Sequence, residues 1–292
     1  MILNSYIAKG NTKETFKVWH LVHGKKYDYN TLEGISKYIT FKKNLKDITE
    51  HNSQDHTYKR GLNHLSDKTF DEVRQYYNIV ELDQDEIKQH IKSQFTLDDY
   101  KDDDDNFNSQ VNGNLQRSPI DWRLKLPAVR NQGRCGSCWA FATMGAVEGR
   151  WVLKSRQLMQ DYLSTQQLLD CNTTSNGCNG GWSSRAMEYL RTSNAMWEKD
   201  YSYKGVQGKC NYNSGKVAGV RVTSYTWSGT ADNVYNSLRD GPLAISMRVT
   251  GNFNSYKSGV WGDSCSGGTN HVMTLVGYGY DSTCNCNYWL IR

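Results

Sequence analysis

The chain is most constrained by ten residues, Gln132-Gly133-Arg134-Cys135-Gly136-Ser137-Cys138-Trp139-Ala140-Phe141, which set a thiol at the start of an apolar, helix-prone run over 139–153. The first backbone N–H groups of a helix lack intrahelical partners, and the helix dipole is positive there. A thiolate at that position is favoured over the thiol, so a nucleophile persists at neutral or acidic pH. Three other chemistries use the same Cys-x-x-Cys spacing: a thiol redox site, half of a zinc site, or one partner of a structural disulfide. A redox site wants a strand just before it, whereas residues 124–134, with Pro127 and Gly133, read as irregular chain. Zinc wants a second close pair; Cys171/Cys178 and Cys284/Cys286 are poorly spaced and His271 stands alone, so no metal is expected.

Cys135-Gly136-Ser137-Cys138-Trp139 resembles the signature of the papain-like cysteine proteases, and His271 follows Cys138 by 133 residues, as a His does in that family. It lies within Asn270-His271-Val272-Met273-Thr274-Leu275-Val276-Gly277-Tyr278-Gly279. The pattern of residues reads as helices over 139–154, 163–171 (with Ser164 as N-cap) and 182–191, then as β-branched and aromatic alternation over 217–227, 243–249, 271–280 and 288–291, with a helix over 230–239 between. The resemblance implies an α+β, two-lobed fold: a helical lobe and a β-barrel-like lobe with a cleft between, Cys138 on one wall and His271 on the other.

It also implies roles. Cys138 is the nucleophile, held as a thiolate beside a His271 imidazolium. Gln132, six residues before Cys138, shares the oxyanion with the Cys138 N–H. Gly180 and Gly181 pair with an extended substrate. Trp182, Ser183, Ser246, Thr269, Asn270 and Val272 border the substrate pocket. The family pairs Cys135 with Cys178 and Cys171 with Cys210. No cofactor is implied, and Asn172-Thr173-Thr174 fits a glycosylation sequon.

Upstream, residues 12–23 read as a helix, and 31–52 as a longer one. Glu33, Lys37, Phe41, Asn44, Ile48 and Asn52 fall on one face of it. That face mixes acid, base, amide and apolar groups, unlike a plain core stripe. It resembles the pattern of cathepsin L-type propeptides, with Lys37 where the family has Arg. Gly61-Leu62-Asn63-His64-Leu65-Ser66-Asp67 resembles a second propeptide motif, with Leu65 where the family has Phe. A short helix over 69–77 follows, and the resemblance implies that the segment after this motif runs through the active-site cleft in the direction opposite to substrate, blocking it without being cut.

The resulting division is a helical inhibitory prodomain over 1–95, an acidic linker and maturation region over 96–117, and a peptidase domain over 118–292. Residues 98–106 carry six Asp in nine positions and stay solvated by self-repulsion. Residues 99–105 also match the start of a common epitope tag, so the run is a natural linker or an insertion. Cleavage is expected near Arg117/Ser118. The sequence stops at Arg292, before the Asn and Trp that follow in the family and before a partner for Cys265, so the peptidase domain is expected to be incomplete.

A net charge of +5 over 292 residues makes no case for nucleic acid, and no apolar run is long enough to cross a bilayer. Eight cysteines, all beyond position 130, suit an oxidising compartment, although no signal peptide is visible at residues 1–10. The expectation is a lysosomal, vacuolar or secreted monomer. It is the zymogen of a cysteine endopeptidase whose partners are polypeptide substrates, its own propeptide and cystatin-like inhibitors. The alternative is an impaired homologue that inhibits or binds a protease through its prodomain.

Overall fold

Cys138, Thr31, Ser164 and Thr230 mark helix starts in the sequence, and the chain folds accordingly in the computed structural model, which describes residues 10–79, 117–227, 229–264 and 266–292. In chain order the elements are α1 (Thr12–Val22), α2 (Leu32–Ser53), β1 (Tyr58–Arg60), α3 (Phe70–Tyr76), β2 (Ile120–Asp121), α4 (Cys138–Ser155), α5 (Thr165–Cys171), α6 (Ser183–Thr192), β3 (Ala195–Met196), β4 (Val217–Val220), α7 (Ala231–Arg239), β5 (Leu243–Met247), β6 (Tyr256–Gly259), β7 (His271–Asp281) and β8 (Cys286–Ile291). Most of the linker, its acidic run and Cys265 lie outside the described residues.

Two compact units divide the chain: residues 1–75 with 249–265, and residues 76–248 with 266–292. The first is built on α1 and α2. Phe16, Trp19, Phe41 and Leu45 are buried together, and Trp19 donates its indole N–H to the Asn63 carbonyl at 2.8 Å. The mixed face of α2 acquires a partner at nearly every position. Lys37 pairs with Glu72. Asn44 donates to the Ser66 and Lys68 carbonyls at 2.9 and 3.0 Å, and Asn52 exchanges hydrogen bonds with the Arg60 backbone at 2.8 and 2.9 Å. Phe41 and Ile48 are buried, and Glu33 is exposed. Asp67, 1% exposed, receives Lys25 Nζ at 2.9 Å and the Tyr27 hydroxyl at 2.8 Å. β1 pairs antiparallel with β6, Tyr58 opposite Gly259. Gly259 has φ +93°, and a Cβ there would lie 2.4 Å from the Thr57 carbonyl, so the pairing needs glycine.

This unit should lose stability in acid. Burial holds His23 and His51 below the ordinary imidazole pKa; His64 and Lys25 add to the effect on His23, and His56 and Arg60 to that on His51. As pH falls below about 6.5 the unfolded chain takes up these protons first, so folding weakens. Asp263 and Glu72, held below the usual carboxylate range by hydrogen bonds from Tyr58 and Lys37 respectively, act in the same direction at lower pH, because protonation removes their contribution. Amide exchange in α1 and α2 should therefore report faster opening at pH 5 than at pH 7, and His23→Gln with His51→Gln should flatten the dependence. Equal opening at both pH values would refute it.

In the second unit α4 lies in the core, with Trp139, Ala140, Ala142 and Met144 buried against Leu163, Leu168, Leu169 and Leu190. β7 is the central strand of a sheet in which it pairs with β2, β5 and β8. It crosses α4 where Gly145 leaves room: a Cβ there would sit 2.7 Å from Thr274 Oγ1. The strand expected over 217–227 forms only as Val217–Val220, paired with Ala195 and Met196, because β-branched alternation makes a strand only where a partner edge exists. Asn172 of the sequon is 2% exposed; its Oδ1 accepts from the Thr174 N–H and hydroxyl, and its Nδ2 donates to Ser175 Oγ at 3.4 Å.

Candidate active site

α4 begins at Cys138, one residue earlier than the apolar run suggests. Its N-cap, Ser137, makes no side-chain capping bond; the Ser137 hydroxyl instead contacts Tyr203 Oη at 2.6 Å. The Ala140 and Phe141 N–H groups return to the Ser137 carbonyl at 2.9 and 3.1 Å. The N–H groups of Val272, Trp139 and Cys138 favour the anion of the Cys138 sulfur. Val272 is the second residue of β7, next to His271, and both line one cleft with Cys138. Cys138 is the free cysteine among the described residues.

One cleft is lined by Gln132, Gly136, Cys138, Gly180, Gly181, Asn270, His271 and Val272, together with Tyr77, Asn78 and Ile79. Of the residues assigned from sequence, Trp182, Ser183, Ser246 and Thr269 lie outside that lining. Ser246 stands opposite Val272 in the β5–β7 ladder and is exposed, and Ser183 Oγ reaches the Trp139 carbonyl at 3.5 Å. Gln132 donates one amide N–H to the Cys135 carbonyl at 2.9 Å, which orients the side chain and leaves the second N–H for the cleft. Its own carbonyl accepts from Tyr203 Oη at 2.7 Å. Cys135–Cys178 and Cys171–Cys210 are disulfides, and Gly136 N–H donates to the Cys178 carbonyl at 2.8 Å, fixing the two cleft edges to each other. A Cβ at Gly181 would lie 2.6 Å from the Trp139 ring, so this cleft edge seats directly on the indole.

Sequence reasoning named none of Tyr77, Asn78 and Ile79, although the resemblance implies that the segment after the second propeptide motif runs through the cleft, and it missed the hydroxyl that braces Gln132. Asn78, at φ +48°, donates to the Cys178 carbonyl at 2.6 Å and to Asn179 Oδ1 at 3.1 Å. Tyr76 receives the Arg134 guanidinium over its ring at 5.0 Å. Nothing in these side-chain types marks them; only their position after the second propeptide motif does.

Burial acts on both groups of the pair. It pushes the Cys138 thiol up, against the N–H groups that favour its anion, and pushes His271 down to about 4. The cause is solvent exclusion: a charge taken out of water needs its desolvation repaid.

Residues 117–292 match the family described as papain family cysteine protease, and residues 16–73 match the cathepsin propeptide inhibitor domain. The chain is 33% identical to cysteine proteinase RD21A of Arabidopsis thaliana, over 98% of this chain and 60% of that protein, so it spans less than two thirds of that relative. It is 33% identical to pro-cathepsin H of Bos taurus, over 98% of this chain and 82% of that one. Among solved structures, the digestive procathepsin L 3 of Tenebrio molitor larval midgut superposes with a TM-score of 0.77 at 28% identity, covering 97% of this chain and 88% of that chain. Recombinant stem bromelain precursor gives a TM-score of 0.77 at 28% identity, over 96% and 86%. With an inhibitor-domain match ahead of a peptidase match on one chain, the protein belongs to the papain family of cysteine proteases.

Proposed function

We propose that the chain is the zymogen of a cysteine endopeptidase acting on polypeptides, with residues 1–95 as its inhibitory prodomain and 118–292 as its peptidase domain. The observation that supports this reading is one cleft lined by Cys138, His271 and Gln132, in which Tyr77, Asn78 and Ile79 also lie. Cys138 attacks the scissile carbonyl, its proton passing to His271, which then returns it to the leaving amine. The tetrahedral oxyanion is received by the Gln132 amide and the Cys138 N–H. Gly180 and Gly181 offer backbone to an extended substrate, with Asn270 and Val272 opposite; Trp182, Ser183, Ser246 and Thr269 shape the more distant pocket. Removal of residues 77–79 reopens the cleft to water and lets the pair ionise. We place the protein in the lysosomal, vacuolar or secreted pathway, where its disulfides persist. No helix among the described residues is long and apolar enough to cross a membrane.

The test is active-site labelling. An epoxysuccinyl reagent should modify Cys138 alone, after acid processing and not before, and a metal assay should find no stoichiometric zinc. Labelling spread over several cysteines in the processed protein would overturn the reading. Gln132→Ala should lower kcat by about 10²- to 10³-fold with little change in KM, since its amide binds the developing oxyanion rather than the ground-state carbonyl. A loss confined to KM would reassign Gln132 to substrate binding.

A further inference from the structure

Two cysteines take no part in this chemistry. Cys284 and Cys286 flank Asn285 at the tip of the β7–β8 hairpin and are disulfide-bonded to each other across a sequence separation of 2. The other two disulfides span 43 and 39 residues. A crosslink removes unfolded-state entropy in proportion to the logarithm of the loop it closes, so this one contributes the least of the three. Nor does the hairpin need it. Asp281 already pairs with Cys286, and the ladder continues through Tyr280↔Asn287 and Tyr278↔Trp289 to Leu275↔Ile291. The bridge is also approachable. Ser282, Thr283, Asn285 and Asn287 are exposed around it and both cysteines are half-buried, as are Cys171 and Cys178, while Cys135 is fully buried and Cys210 exposed, so loop length rather than exposure sets this bridge apart. Asn285, between them, sits at φ +53°. The tip lies ten residues along β7 from His271, about 33 Å at strand rise, so chemistry there leaves the cleft untouched.

We propose that Cys284–Cys286 is a thiol–disulfide exchange site for low-molecular-weight thiols, opened and closed while the fold and the other two disulfides stay intact. An incoming thiolate RS⁻ forms a bond to one sulfur of the bridge. The Cys284–Cys286 bond breaks, its electron pair leaves on the other sulfur, and that thiolate takes a proton from water, giving RS–S–Cys beside a cysteine thiol. A second RS⁻ attacking the R sulfur releases RS–SR and the dithiol: the protein gains two electrons and two protons, and two thiols become one disulfide. The reverse sequence, driven by RS–SR, closes the bridge. The hairpin thus exists as disulfide, mixed disulfide or dithiol according to the surrounding thiol pool.

The full chain tests this. Existing thiols are blocked with N-ethylmaleimide, the native protein is equilibrated with graded reduced and oxidised glutathione, and newly opened cysteines are alkylated and located by mass spectrometry. Cys284 and Cys286 should open at a thiol concentration at least about tenfold below that needed for Cys135–Cys178 or Cys171–Cys210, with a glutathione adduct seen on one of them. Biotinylated oxidised glutathione, applied after this selective reduction, should tag the hairpin. Cys284→Ser with Cys286→Ser should abolish the tag and leave the unfolding midpoint unchanged. The proposal is overturned if the three bridges open together, if this one opens last, if no adduct forms on either cysteine, or if either is bonded elsewhere in the unreduced protein.

Discussion

Cys138→Ala should abolish peptide hydrolysis, lowering kcat by about 10⁶-fold, and should leave the zymogen folded with its prosegment uncut. The magnitude follows from the nucleophile's place in a unit. Cys138 and His271 serve one proton transfer and one bond formation, so removing either removes both. His271→Ala should therefore cost nearly as much as Cys138→Ala, and the double variant little more than either alone. What survives in each is the Gln132 and Cys138 N–H oxyanion site with the substrate-binding backbone, which together retain a residual advantage over water. The folded state should be indifferent: Ala keeps the Cβ, and Cys138 is bonded to no other cysteine. Initial rates on a peptide substrate, measured on protein of each variant whose prosegment has been removed by an added protease, decide it. Additive losses in the double variant would mean that the two side chains act independently and would dismantle the nucleophile–base assignment.

The site was legible in its parts more than in its state. Cys138 could be placed at a helix start because Trp139 to Leu153 is apolar and carries Gly145 and Gly149 for close packing; the structure adds that Ser137 makes no side-chain cap there. The mixed face of α2 was legible for the same kind of reason. Lys37, Asn44 and Asn52 are too polar for a core stripe, and each finds a partner beyond its own helix, in Glu72, Ser66 or Arg60. The short strands were not. β1 and β6 are three and four residues long and nearly 200 residues apart, so neither carries an alternation of its own; only the pairing makes them strands. Least legible was which residues cover the cleft: the second propeptide motif implies that the segment after it runs there, but nothing in the side chains of Tyr77, Asn78 and Ile79 singles them out.

Trp19→Ala should be the most damaging single change in the first unit. The indole is fully buried, its ring centroid 5.0 Å from that of Phe41 and 5.8 Å from that of Phe16, with Lys25 Nζ 4.7 Å above it and its N–H on the Asn63 carbonyl. Truncation removes the packing that joins α1 to α2 and also orphans a carbonyl in the loop that carries Asp67. Deleting a buried aromatic of this size costs about 3–5 kcal/mol, against roughly 5–14 kcal/mol for the whole stability of a unit of about 90 residues. Opening of α1 and α2, read by amide exchange at pH 7, should rise by about 10²- to 10⁴-fold, enough to make the unit marginal and its helices open to proteolysis. Trp19→Phe separates the two causes. It keeps most of the ring contacts and loses the hydrogen bond to Asn63, so it should cost about 1–3 kcal/mol. If Trp19→Phe proved as disruptive as Trp19→Ala, the carbonyl bond rather than the aromatic cluster would be what holds α1 to the rest of its unit.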